Sequence, residues 1–263
     1  MRSIEVFKRH LREKRAIKIV SGIDNYDTES VKKIVSAAQM GLASAVDIAC
    51  DKKVYDIARK NTNLPIFVSS IHPFKLAQAA KWGADAIEIG NYDALYTEGK
   101  TFSADEVYEI TLETMSLTEN LNTFISVTIP GGIDIDEQIE LAKKLELLGV
   151  DLIQTEGVKP QGIKTLGAKA LLEATQSAAG NTLELSRRVS IPIMTTSCIN
   201  DKNVSLAFNS GASGVAIGSA ISKLDTQVEM LAMVRRIVGS VSQRNSINRE
   251  FARNHKELEL FSR

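Results

Sequence analysis

Residues 83–91 read GADAIEIGN: a glycine, a largely apolar run that carries Asp85 at its start and Glu88 within it, then a second glycine and an asparagine. The pattern returns at 41–51 (GLASAVDIACD), 149–157 (GVDLIQTEG) and 211–219 (GASGVAIGS). Each time a glycine ends a stretch of helical periodicity and a run of strand length follows. Between these segments lie other strand-length runs that end alike, in a small or hydroxylated pair before isoleucine: VSGI (20–23), VSSI (68–71), SVTI (126–129) and TSCI (196–199). The unit is therefore two strands and two helices, used four times. Self-similarity at a fixed period marks an array in which each unit covers the apolar face of the next. Strict strand–helix alternation makes the sheet parallel with right-handed crossovers. The pattern predicts a single α/β domain, a closed (β/α)8 barrel over about 16–241, with a helix before it and a helical extension over 243–263. A doubly wound open sheet, which needs only roughly six strands, is the alternative.

The predicted strands are 17–22, 44–49, 65–70, 84–90, 123–128, 150–156, 192–197 and 214–219, and the helices 28–40, 51–60, 74–81, 104–119, 134–148, 165–188, 201–209 and 225–240. Ser103 and Glu106 have capping-box spacing, Asp201 opens the seventh helix, and Gly41, Gly83, Gly149 and Gly211 stand at helix ends. A barrel of this kind takes about 250 residues, and the chain has 263.

Composition narrows the function. Lys and Arg number 32 and Asp and Glu 32, so no global field draws the chain to nucleic acid or an anionic membrane. No apolar run approaches a bilayer span. Two cysteines, Cys50 and Cys198, make no disulfide framework and suit a reducing compartment. The basic N-terminus, MRSIEVFKRHLREKR, lacks an apolar signal region and is expected to fold as a helix.

Barrel chemistry belongs at the C-terminal ends of the strands. Aligning the even strands places Asp47, Glu88, Gln154 and Ala216 in one column, and Ala49, Gly90, Glu156 and Gly218 two residues later. A carboxylate cannot face the greasy strand–helix layer without a partner, so Asp47, Glu88 and Glu156 are expected to point inward. On the odd strands Lys18, Ser70, Ser126, Thr128 and Thr196 are expected inside, leaving Ile19, Phe67 and Ile125 for the helix layer. Lys18 then pairs with Asp47 or Glu88. This set reads in two ways. It is a general acid–base set with pKa values pushed apart, or a buried ion layer that only fills the barrel. No His/Cys cluster has metal-ligand spacing. A Schiff-base lysine is disfavoured because none ends a strand, although Lys18, Lys159 and Lys164 keep it open.

The run GASGVAIGSAI (211–221) ends its strand in Gly218-Ser219, and the preceding strand ends in Thr196-Ser197-Cys198. Small residues there let ligand oxygens reach backbone N–H groups. The run resembles the strand-eight signature of phosphate-binding barrels such as thiamine-phosphate synthase-like and histidine- or tryptophan-biosynthesis-like enzymes. That resemblance implies a phosphate cup at Ser197, Cys198, Gly218 and Ser219. Those families carry a glycine pair where this chain has Ser197-Cys198. Close strand–helix packing is the competing explanation of the small residues. The strings IKIVSGIDNYD, VDIACD, LPIFVSSIHP, GADAIEIGNYDALYTEG, FSADEV, DLIQTEG and GVAIGSAISKL resemble the family called hypothetical chloroplast reading frame twenty-three, of cyanobacteria and algal plastids. That resemblance implies an aldolase-type barrel, in plastid stroma or cyanobacterial cytoplasm, and names no reaction.

The expected function is acid–base chemistry, isomerase or lyase, on a small phosphorylated molecule, with Asp47, Glu88 and Glu156 as acids and Lys18 as their electrostatic partner. A non-catalytic binding or regulatory module is the alternative, and FMN in the same cup a second; no cofactor is required by the sequence. The stretch NYDALYTEGKT (91–101) is expected to fold over the barrel mouth, and Lys159 and Lys164 to clamp an anion.

Overall fold

The computed structural model describes residues 3–158 and 168–261. The eight predicted strands form one closed barrel in sequence order, all neighbours parallel, β8 returning to β1. They are β1 (Ala16–Val20), β2 (Ala45–Ala49), β3 (Ile66–Ser70), β4 (Ala86–Ile89), β5 (Phe124–Ile129), β6 (Leu152–Thr155), β7 (Ile193–Thr195) and β8 (Gly214–Ile217). The helices are α1 (Ser3–Arg12), α2 (Thr28–Met40), α3 (Lys52–Asn61), α4 (Pro73–Trp82), α5 (Asp93–Thr97), α6 (Ala104–Thr118), α7 (Ile135–Leu148), α8 (Ala168–Ser186), α9 (Val204–Asn209), α10 (Ser219–Ser222) and α11 (Gln227–Phe261).

Local signals explain most boundaries. The Ser103–Glu106 capping box forms, each side chain bonding the other residue's backbone N–H. Gly83 and Gly149 close α4 and α7 in the left-handed region. Gly41 does not; there the left-handed residue is Leu42. Gly41 serves packing instead, since a Cβ on it would lie 2.3 Å from Val234 Cγ1 of α11. Two expectations differ. Asp201 does not open a helix: Asn200 and Asn203 hold 200–203 in side-chain-bonded turns, and α9 starts after Asn203. No break separates the last barrel helix from the extension, and α11 runs on through Phe261 as one helix.

Alternation splits each strand between two apolar regions. Outward residues such as Ile19, Ile48, Val68, Ile87, Val127 and Ile153 meet the helices. Inward residues at the strands' N-terminal ends, including Ala45, Phe67, Ala86, Phe124, Leu152 and Met194, form a separate cluster around Phe7 of α1. Phe7 plugs this end, edge-on to Phe67 at 5.1 Å and to Phe124 at 6.0 Å between ring centroids. Phe7 is fully buried. Phe7→Ala is expected to cost about 3–5 kcal/mol by leaving a void in this plug, checked by chemical denaturation; a loss below about 1 kcal/mol would mean that α1 is dispensable.

This plug corrects the expected facing of β3. Phe67 and Ser69 point into the barrel, and Ser70 points out, where its Oγ accepts the His72 N–H at 3.1 Å. Phe67 is drawn inward by the rings of Phe7 and Phe124.

Candidate active site

Above the aromatic plug the barrel carries a polar layer. Lys18 Nζ lies 2.8 Å from Asp47 Oδ2 and 2.8 Å from Glu88 Oε2, and 4.6 Å from the centre of the Phe67 ring. All three charged residues are at most 1% exposed. Burial pushes the Lys18 pKa down, but the two carboxylates outweigh it and hold it above the ordinary lysine range. Ser69 Oγ donates to Asp47 Oδ1, and Thr128 Oγ1 donates to Glu88 Oε1 at 2.7 Å. This pairing favours the ammonium form over the neutral amine that a Schiff base requires.

Asn91 closes this layer from above. It follows β4 in the left-handed region, φ 66°, which turns its amide back across the barrel. Its Nδ2 donates to Asp47 Oδ2 at 3.0 Å and to Ser69 Oγ at 2.7 Å, and its Oδ1 accepts Gln154 Nε2 at 2.7 Å. Asn91 lines the cavity at the C-terminal face, while Lys18, Asp47 and Glu88 do not.

That cavity, about 300 Å³, lies over the ends of β1, β6, β7 and β8. Glu156 forms part of it, 1% exposed. The stretch 91–101 orients this carboxylate from above: Tyr92 N–H donates to Oε1 and Tyr96 O–H to Oε2, each at 3.1 Å. Tyr92 is fully buried, its ring 4.5 Å from that of Phe102. Burial, with Glu156 and Glu88 near, raises the Tyr92 phenol pKa well above the usual value.

Ser197, Cys198, Gly218 and Ser219 line the same cavity. Ser197 and Cys198 sit at φ 76° and 57°, consecutive left-handed positions that cost a side-chain-bearing residue roughly 1–2 kcal/mol each. The glycine pair of the barrels this run resembles would carry no such strain. Several bonds hold the turn. Ser197 Oγ accepts the Gly157 N–H at 2.9 Å, Thr175 Oγ1 donates to the carbonyls of Ser197 and Cys198 at 3.4 and 3.3 Å, and Asn203 Nδ2 donates to the Cys198 carbonyl at 3.0 Å. A trans peptide sets its N–H opposite its C=O, so the N–H groups of Cys198 and Ile199 face away from Thr175 and Asn203.

The structure thus divides the predicted set. Glu156, Ser197, Cys198, Gly218 and Ser219 share one cavity; Lys18, Asp47 and Glu88 form a sealed layer beneath Asn91. Lys159 and Lys164 lie outside the described residues. Among the described residues, no group of three or more His, Cys, Asp or Glu is placed to hold a metal ion, and no helix is long and apolar enough to cross a membrane. Cys50 lies apart from the cavity, its Sγ donating to the Lys75 carbonyl, and burial pushes its thiol up to about 11. Two residues escaped the sequence reading. Asn91 falls out of phase with the inward column, and Lys223 lines the cavity from just beyond α10.

The molecule is a (β/α)8 barrel with a polar cavity at the C-terminal ends of its strands, the face that serves chemistry in this fold. It belongs to the family described as "Protein of unknown function (DUF561)", which it matches over residues 1–247. Relatives named "Uncharacterized protein ycf23" occur in Cyanophora paradoxa, 39% identical over 86% of this chain and 93% of theirs, and in Antithamnion sp., 35% identical over 88% and 86%. Among solved structures, the barrel is similar to (S)-3-O-geranylgeranylglyceryl phosphate synthase from Thermoplasma acidophilum in complex with sn-glycerol-1-phosphate, with TM-score 0.63, 14% identity, and 90% of this chain and 98% of that one covered. Thiamine phosphate pyrophosphorylase from Pyrococcus furiosus gives TM-score 0.55 at 16% identity, with 89% and 98% covered. At these identities the likeness is one of fold.

Proposed function

We propose that the protein is an acid–base enzyme, an isomerase or lyase, acting on a small phosphorylated metabolite bound in the cavity at the C-terminal face. The observation that carries this reading is a buried, doubly oriented carboxylate, Glu156, opening on the same cavity as the strained Ser197-Cys198 turn. Strain of this kind persists where surrounding structure enforces it, and it clusters at ligand clamps. The phosphate sits on Ser197, Cys198, Gly218 and Ser219, and Glu156 moves the proton. Lys18, Asp47 and Glu88 act from below, fixing Asn91 through Asp47 so that the cavity floor keeps its shape. The geranylgeranylglyceryl phosphate synthase holding sn-glycerol-1-phosphate is a precedent for a phosphate ester on this fold. Algal relatives support a plastid setting.

A non-catalytic binding module is the second reading, favoured by the sealing of three of the four predicted charged residues away from the cavity. Mass spectrometry of the small molecules released from the natively purified protein tests the phosphorylated ligand. A phosphorylated compound of few carbons is expected. A flavin, or a tightly held compound without phosphate, overturns the reading.

A further inference from the structure

Lys223 lines the cavity beside Ser219 and Ser222 and has no ion-pair partner among the described residues. Asp24, on the same cavity, does not pair with it; both side chains are exposed, so solvent screens the one from the other. Gly218 supplies a second, separate observation. Its φ of −102° is not left-handed, and a Cβ there would meet nothing nearer than Val20, at 3.9 Å. Neither a left-handed backbone nor crowding by the protein calls for glycine here, so the space kept clear at Gly218 belongs to the cavity.

We propose that Lys223 is the anion-recognition residue of this cavity and that its ligands are phosphomonoesters in the dianionic form. The inference rests on the phosphorylated-ligand reading above and narrows it. The phosphate lies between the Lys223 ammonium, the clear space at Gly218 and the N–H groups of Cys198 and Ile199, with the rest of the molecule directed to Glu156. A full positive charge facing the phosphate favours two negative charges over the single charge of a diester. The volume of about 300 Å³ stands at the small end of ligand cavities, matching a phosphate with a short carbon chain.

Calorimetric titration with glycerol 3-phosphate and with its methyl diester, which differ by one charge, tests this. The monoester is expected to bind the parent protein at least about tenfold more tightly than the diester. Lys223→Met should weaken the monoester by about tenfold or more and bring the two probes close together, while Lys223→Arg keeps most of the difference. Gly218→Ala, which fills the phosphate's place, should abolish monoester binding and leave the melting temperature near the parent's. Monoester binding that Gly218→Ala abolishes but Lys223→Met leaves unchanged overturns the role of Lys223 while the phosphate cup stands. A monoester that does not bind, or binds equally well to Gly218→Ala, overturns both.

Discussion

Lys18→Met is expected to cost the fold about 3–5 kcal/mol, the penalty for leaving buried charge without its partner. The Lys18 ammonium lies 2.8 Å from one oxygen each of Asp47 and Glu88, in a layer closed to solvent. Without it the two carboxylates keep, among the described residues, the neutral donors Ser69, Asn91 and Thr128. The stoichiometry makes the opposite change milder. Glu88→Gln leaves Lys18 and Asp47 as a one-to-one pair, and its cost should be clearly the smaller. At roughly 2–4 °C per kcal/mol for a chain of this size, Lys18→Met should melt about 6–20 °C below the parent. Equal melting of Lys18→Met and parent would mean that the layer is not the charged triad described.

For Glu156→Gln the loss should fall on turnover, by about a hundredfold or more, as expected when a general acid or base is removed. Glutamine keeps the volume and an oxygen for the Tyr92 N–H, so the melting temperature should stay within a few degrees of the parent's. The melt and the rate together separate the roles. A collapse in melting temperature would make Glu156 a structural residue, and full turnover in a well-folded variant would remove it from the chemistry.

The barrel was legible because its repeat states the same physical requirement four times: a helix stop, then a strand buried on both faces. That double burial is also why the phase of β3 was not. In IFVSS both faces are covered, so hydrophobicity does not alternate, and the choice between Phe67 and Ser70 turned on a ring contributed by α1. The inward column of Asp47, Glu88 and Gln154 could be read because a carboxylate or amide in an apolar run has only one tolerable direction. The columns also set Glu156 one inward position beyond Glu88. What they could not convey was the floor between the two: Asn91, turned by a left-handed backbone after the strand, leaves Glu88 below the cavity and Glu156 within it. Lys223 lay in the quoted string GVAIGSAISKL, but its relation to the cavity depends on the short turn of α10. The continuity of α11 was missed as well: the helix expected over 225–240 and the extension expected from 243 are one helix, Gln227–Phe261.

The plug at Phe7 and the Gly41–Val234 contact bear on the order in which the polypeptide can assemble. The first helix leaves the ribosome before any of its seat exists, and Phe67, Phe124, Leu152 and Met194 arrive later. In the same way α2 waits for α11, and β1 for β8. Contacts of such large sequence separation pay loop-closure entropy before they return any stability, which slows folding. The nascent chain therefore presents two open strand edges until β8 is released and the apolar side of α2 until α11 follows, the surfaces through which partly built barrels stick to one another. Synthesis that stalls short of Val234 would leave a chain for chaperones to shelter.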